Sequence, residues 1–186
     1  MLHPNEKRIL AIDLRSRSFG FVVFEGPTRL LDWGVRSFRQ GVNAVRVPVY
    51  KKFAELMNDS SPSAIVVQKD FFESKKKMGM RDALLKQAES HRIPIRFVTR
   101  RTVRLAVAGA NRNKYTIAAA LARQLPELGP RLPGVRKVWK SEDYGISIFD
   151  AAALGVAYFV RYKKRPPPAA VQANPGDYKE PLKTKM

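Results

Sequence analysis

Hydrophobic residues come first in runs of strand length, and later at helical spacing. The first two runs are Ile9-Leu10-Ala11-Ile12, closed by Asp13, and Phe19-Gly20-Phe21-Val22-Val23-Phe24. The polar break between them, Arg15-Ser16-Arg17-Ser18, is short, so the pattern predicts a hairpin of two largely buried strands. A third strand is expected over residues 28–38, after the Gly26-Pro27 turn, which makes an antiparallel meander. Residues 40–48 fit neither period. Residues 49–57 carry Val49, Phe53, Leu56 and Met57 at helical spacing, and Asn58-Asp59-Ser60-Ser61-Pro62 closes them as a loop.

The second part of the chain alternates strand and helix. A buried strand is expected over 63–70, a helix over 82–91 and a short strand over 93–98. Such alternation adds parallel strands to the meander. A helix over 99–108 joins Val103, Leu105, Ala106 and Val107 to Arg100, Arg101 and Arg104. An Ala-rich helix over 111–125 follows, then a Pro/Gly loop over 126–134. The last helix falls within 141–162. The chain therefore divides into an α/β domain over 1–164 and a basic, Pro- and Lys-rich tail over 165–186. The tail has little to bury and is expected to be disordered.

Charge narrows the function. Among 186 residues, 35 Lys and Arg face 16 Asp and Glu, a net +19. That self-repulsion is best relieved by a polyanion, and nucleic acid is the leading partner. An anionic membrane surface is the rival, but no apolar run approaches the ~20 residues of a membrane span. Residues 1–8 are polar and precede a strand-length run, unlike a signal peptide. The chain has no Cys, which removes thiolate chemistry and any redox clue to compartment. A cytoplasmic location is the resulting expectation. His3 and His91 are too few and too scattered for a His-based metal site.

Three acids end or interrupt apolar segments: Asp13, Asp70 and Asp150. A buried acid needs a partner, and for Asp13 a metal ion, an Arg or a row of backbone N–H groups would each serve. Gln68 and Asp70 share a strand face if that strand runs far enough. Asp143 lies two helical turns before Asp150, and Ser147 one turn before it. Glu142 and Asp143 would equally suit a helix N-terminus through its dipole. Acids from separate elements in a basic protein suggest phosphodiester hydrolysis with hard cations, Mg2+ or Mn2+, two ions per site. A Gly-rich phosphate loop is missing from the sequence, as is any Cys or His nucleophile arrangement.

Residues 13–21, Asp-Leu-Arg-Ser-Arg-Ser-Phe-Gly-Phe, resemble the Asp-Pro-Gly-Ser-Arg-x-x-Gly-Tyr segment of RuvC-type Holliday junction resolvases, in the ribonuclease H-like superfamily. Residues 64–72 resemble that family's second acidic strand. Val103, Val107, Gly109, Lys114, Ile117 and Leu125 follow its next two motifs, and residues 149–157 its closing Asp-Ala-Leu-Ala helix. The resemblance implies a mixed five-stranded sheet, three strands antiparallel and two parallel, flanked by helices. It implies metal-dependent nicking of branched DNA by a homodimer. Asp13, Asp70 and Asp150 would then be metal ligands, with Asp143 a further catalytic acid. Arg15, Arg17, Lys75, Lys76, Lys77, Arg100, Arg101, Arg104 and Lys114 would contact nucleic acid. The chain departs from the pattern in three places. Gln68 stands where the family has Glu, and Ser147 where it tends to have an acid or His. Arg15 replaces a glycine, and either crowds the site or binds a phosphate. A nucleic-acid-binding relative with an impaired site is the alternative these departures raise, and a basic RNA-associated domain is a third reading.

Removing residues 165–186 is expected to lower the salt slope of DNA binding without changing the melting temperature. A truncated chain that loses its melting transition contradicts the assignment of this segment as a tail.

Overall fold

Ile9, Leu10, Ala11 and Ile12 are fully buried. A strand apolar at every position needs cover on both faces, and so belongs at the middle of a sheet. The computed structural model of the chain describes residues 8–38, 46–72, 78–107, 113–134 and 144–163, and places it there. The strand Arg8–Leu14 (β1) pairs antiparallel with Ser18–Glu25 (β2). β2 pairs antiparallel with Leu30–Ser37 (β3). On its other side β1 pairs parallel with Ala64–Gln68 (β4), and β4 with Ile95–Val98 (β5). The order β3-β2-β1-β4-β5 is the expected mixed sheet.

The helices are Arg46–Ser60 (α1), Lys69–Phe72 (α2), Met78–Ser90 (α3), Arg100–Val107 (α4), Lys114–Gln124 (α5) and Ile146–Lys163 (α6). A 3-10 segment, Pro126–Arg131, stands where a plain loop was expected. None of the described helices is long and apolar enough to cross a membrane. The strand expected over 63–70 stops at Gln68, which corrects its end by two residues. Its pairing explains this. The parallel ladder with β1 ends at Val67 and that with β5 at Gln68. Beyond Gln68 neither ladder continues, and Lys69–Phe72 coils instead. Lys75, Lys76, Lys77, Asp143 and the segment 165–186 lie outside the described residues.

Strand alternation sorts the core into two layers. Ile9, Ala11, Val22, Phe24 and Val66 face one side, against α6 and residues of α4 and α5. Leu10, Ile12, Phe19, Val23 and Val67 face the other, against α1 and α3. Phe19 and Phe53 stack there with ring centres 4.6 Å apart. Fully burying one such side chain stabilises by about 1.5–3 kcal/mol. α6 is buried around most of its surface, from Ile146 through Phe159. It lies between the sheet and α4 and α5, and its run of Ala residues allows a close approach.

Two glycines set that approach. A Cβ at Gly20 would lie 2.2 Å from the Ser147 carbonyl oxygen, and one at Gly155 2.2 Å from the Phe24 ring. Gly20 is also the cross-strand partner of Asp13. The missing side chain thus lets the start of α6 press onto the strand pair that carries Asp13. Gly20→Ala is expected to lower unfolding stability by about 2 kcal/mol or more, because backbone rather than a flexible side chain must yield. Gly79→Ala, in open space at the start of α3, should be neutral or stabilising by up to about 1 kcal/mol. Urea unfolding of both variants checks the contrast; equal effects would contradict it.

Candidate active site

Asp13 continues the face of Ile9 and Ala11, so it points toward α6. Arg15 follows two residues later, where the hairpin turn is closed by the Arg15 N–H bond to the Ser18 carbonyl at 2.9 Å. The i, i+2 spacing returns the Arg15 side chain to the Asp13 side. Asp150 sits one turn along α6 from Ser147, the residue pressed against Gly20. The sheet and the last helix therefore bring Asp13 and Asp150 to one place.

Arg15 joins them. Its Nε donates to Asp13 Oδ2 at 2.9 Å and its Nη2 to Asp150 Oδ2 at 2.8 Å. These two N–H groups lie along one edge of the guanidinium and point the same way, so they hold the two oxygens side by side. Lys114 Nζ lies 3.4 Å from the same Asp150 oxygen. Lys114 is the first residue of α5, whose N-cap Asn113 accepts from the Thr116 N–H at 2.9 Å. A cation at a helix N-terminus is opposed by the dipole, and Asp150 offsets that. The side chains of Asp13, Arg15 and Asp150 are 14%, 25% and 27% exposed, so these contacts are only partly screened.

A cleft of about 630 Å³ surrounds the pair. Asp13, Arg15, Gln68, Asp70, Arg100, Arg104, Lys114 and Asp150 line it, with Phe71, Val103 and Ile117 among its apolar walls. Its charged lining is four cations against three carboxylates. Gln68 follows Val66 on the α6 side of β4, with its Nε2 donating to Asp70 Oδ2 at 3.2 Å. Asp70, in the turn of α2, also pairs with Arg100 Nε at 3.4 Å. Ser147 is buried and donates to the Tyr144 carbonyl at 3.1 Å. Arg17 and Arg101 are exposed and do not line the cleft. Sequence reasoning placed Arg15 against nucleic acid and missed that it spans both carboxylates. The signal was the Asp-x-Arg spacing at the end of a buried strand.

Burial raises the Asp13 pKa to about 6, and the Asp150 charge adds to the rise; the Arg15 hydrogen bond and the charges of Arg15 and Lys114 pull against it. Charge on this carboxylate remains under-compensated, the condition a small divalent cation relieves. Such an ion is commonly held by one or two carboxylates, with water and substrate phosphate completing its shell. The Asp13–Asp150 pair fits one ion on those terms. Among the described residues, no group of three His, Cys, Asp or Glu side chains could hold a metal ion, so they supply no full donor set for two.

No protein-family model matches the sequence, and neither does any curated protein. The fold is similar to Thermus thermophilus RuvC solved in complex with a Holliday junction substrate. That likeness has a TM-score of 0.64 at 18% identity, over 84% of this chain and 94% of that one. A second Thermus thermophilus RuvC structure gives 0.63 at 17%, over 84% and 95%. The yeast mitochondrial Holliday junction resolvase gives 0.57 at 13%, over 88% and 81%. The chain has the fold of RuvC-like resolvases.

The raised pKa makes a stability prediction. Below pH 3.8 Asp13 is protonated folded and unfolded, and contributes nothing. Between 3.8 and about 6 only the unfolded chain ionises, so stability falls as pH rises; above about 6 the full penalty, about 3 kcal/mol, is present. Asp13→Asn is therefore expected to raise unfolding stability at pH 8 in a chelator, with the gain fading toward pH 4. Urea unfolding at both pH values reads it; a gain independent of pH would contradict the assignment.

Proposed function

We propose that the chain is a structure-selective DNA endonuclease that binds branched DNA and hydrolyses a phosphodiester bond in the Asp13–Asp150 cleft with a divalent cation, Mg2+ or Mn2+. One observation carries the reading: acids from the first strand and the last helix meet in a cleft rimmed by Arg100, Arg104 and Lys114. Arg104 lies in the last turn of α4, Arg100 and Lys114 sit where α4 and α5 begin, and α4 has no acid in its first turn. A phosphate there meets side-chain charge and helix dipole together. The likeness to structures of Holliday junction resolvases supports branched DNA as the substrate class.

Asp13 and Asp150 would hold the cation. The chemistry it supplies is Lewis-acid stabilisation of charge on the phosphate as water attacks. Water adds to phosphorus and one ester bond breaks, leaving a phosphate monoester and an alcohol. Lys114, Arg100 and Arg104 hold the flanking phosphates, and Val103 and Ile117 wall off the apolar side of the cleft. Asp70 and Asp143 are the acids that would complete a donor set for a second ion. A homodimer belongs to this reading, because a four-way junction presents two equivalent backbones and each chain would bring the Asp13–Asp150 cleft to one of them.

Gln68 and Arg15 favour a second reading, a junction-binding protein that does not cut. A neutral amide and an internal cation both lower the negative charge available to a metal.

With Mg2+ or Mn2+, the wild-type chain is expected to nick a four-way DNA junction. Asp150→Asn should reduce nicking by roughly a hundredfold or more while changing junction affinity only a few-fold. Lys114→Ala and Arg104→Ala should each lower the salt slope of binding by about 1. Salt-dependent binding with no cleavage under any divalent ion would establish the second reading instead.

A further inference from the structure

Arg15 occupies the position a cation would take between the carboxylates. The atoms it engages, Asp13 Oδ2 and Asp150 Oδ2, are the oxygens that the two side chains hold side by side. A magnesium-sized ion binds carboxylate oxygen at about 2.0–2.1 Å, and a guanidinium with Nε and Nη2 each kept within 3 Å of one of these oxygens would lie against it. Two positive centres at that spacing repel strongly in a partly buried site. The ion and the guanidinium therefore compete for one place. Lys114 is a lesser competitor, 3.4 Å from Asp150 with a side chain 55% exposed.

Arg15 is also built to leave. Its backbone is pinned by the turn bond to Ser18, but Ser16 and Arg17 beside it are exposed. The cleft that Arg15 itself lines gives its side chain open space to turn into. There a DNA phosphate offers its planar guanidinium two oxygens to replace the two that it leaves.

We propose that Arg15 is the resident counter-ion of the Asp13–Asp150 pair and sets which cation the site admits: a divalent ion binds only as the guanidinium leaves, and the freed guanidinium takes a phosphate of the DNA. This rests on the reading of the cleft as a cation-assisted phosphodiester site. Binding of the ion is thereby weakened in the free protein, and binding of DNA lifts that restraint by giving Arg15 another partner.

The test is Mn2+ binding to the full chain without DNA, by titration calorimetry, for wild type, Arg15→Ala, Arg15→Gln, Arg15→Lys and Asp150→Asn. Arg15→Ala and Arg15→Gln are expected to bind Mn2+ roughly tenfold tighter or better, Arg15→Lys to stay close to wild type, and Asp150→Asn to lose binding. A second measurement needs no variant. On Mg2+ titration of wild type, the NMR signal of the Arg15 Nε–H should lose its protection from solvent exchange. If Asp150→Asn abolishes binding but the Arg15 variants bind no tighter, the exchange is wrong and the cation site stands. An Arg15 signal unchanged at saturating Mg2+ is likewise against the exchange. If neither wild type nor any Arg15 variant binds Mn2+, the exchange and the cation-assisted reading both fall, with junction binding left intact.

Discussion

Two carboxylates held on one guanidinium are the constraint around which this site is built. Asp13 is next to last in a strand buried on both faces, and Asp150 interrupts a helix buried around most of its surface. Neither position suits an acid, and together they repel. Arg15 makes the arrangement tolerable by donating to both at 2.9 and 2.8 Å, with Lys114 in support. The compensation is incomplete, and burial and the neighbouring charge still raise the Asp13 pKa to about 6. The fold therefore holds electrostatic energy at one point of the sheet. It can do so because Gly20 lets α6 approach closely and two apolar layers fix strand and helix in place.

Much of the architecture was legible because it is local. The run Ile9-Leu10-Ala11-Ile12, the short turn and the run from Phe19 to Phe24 specify a hairpin through spacing alone. The strand–helix alternation after residue 63 specifies parallel strands. Asp13 and Asp150 stood out as charges where apolar residues were due. The end of β4 was not legible. Whether Lys69 and Asp70 extend a strand depends on how far β1 and β5 run beside them, a matter of register and not of composition. Asp70 consequently sits in the turn of α2, paired with Arg100 and Gln68, off the face that Gln68 shares with Asp13. The role of Arg15 was half legible. Its spacing from Asp13 marks it as a partner, but its second bond reaches a helix at the other end of the described chain.

The likeness to RuvC-like resolvases concerns the fold, and this chain's own residues decide how the fold is used. Gln68 is neutral beside the carboxylate pair, and Arg15 carries the opposite charge. Both leave the cleft a balanced, anion-accepting surface of four cations and three carboxylates. The basic rim agrees with that: Arg100 and Lys114 stand at helix starts where the dipoles oppose them, and phosphate is the ligand that reconciles the two. One cleft thus combines a cation-seeking centre with a phosphate-seeking margin, and Arg15 belongs to both.

The most direct test of this account is a double-mutant cycle between Arg15→Ala and Asp150→Asn, read as unfolding free energy in a chelator at pH 8. If the guanidinium holds the carboxylate pair together, the two losses will be non-additive by about 1 kcal/mol or more. Additivity within about 0.3 kcal/mol would mean that Arg15 does not hold Asp150, and the account of the site would be wrong.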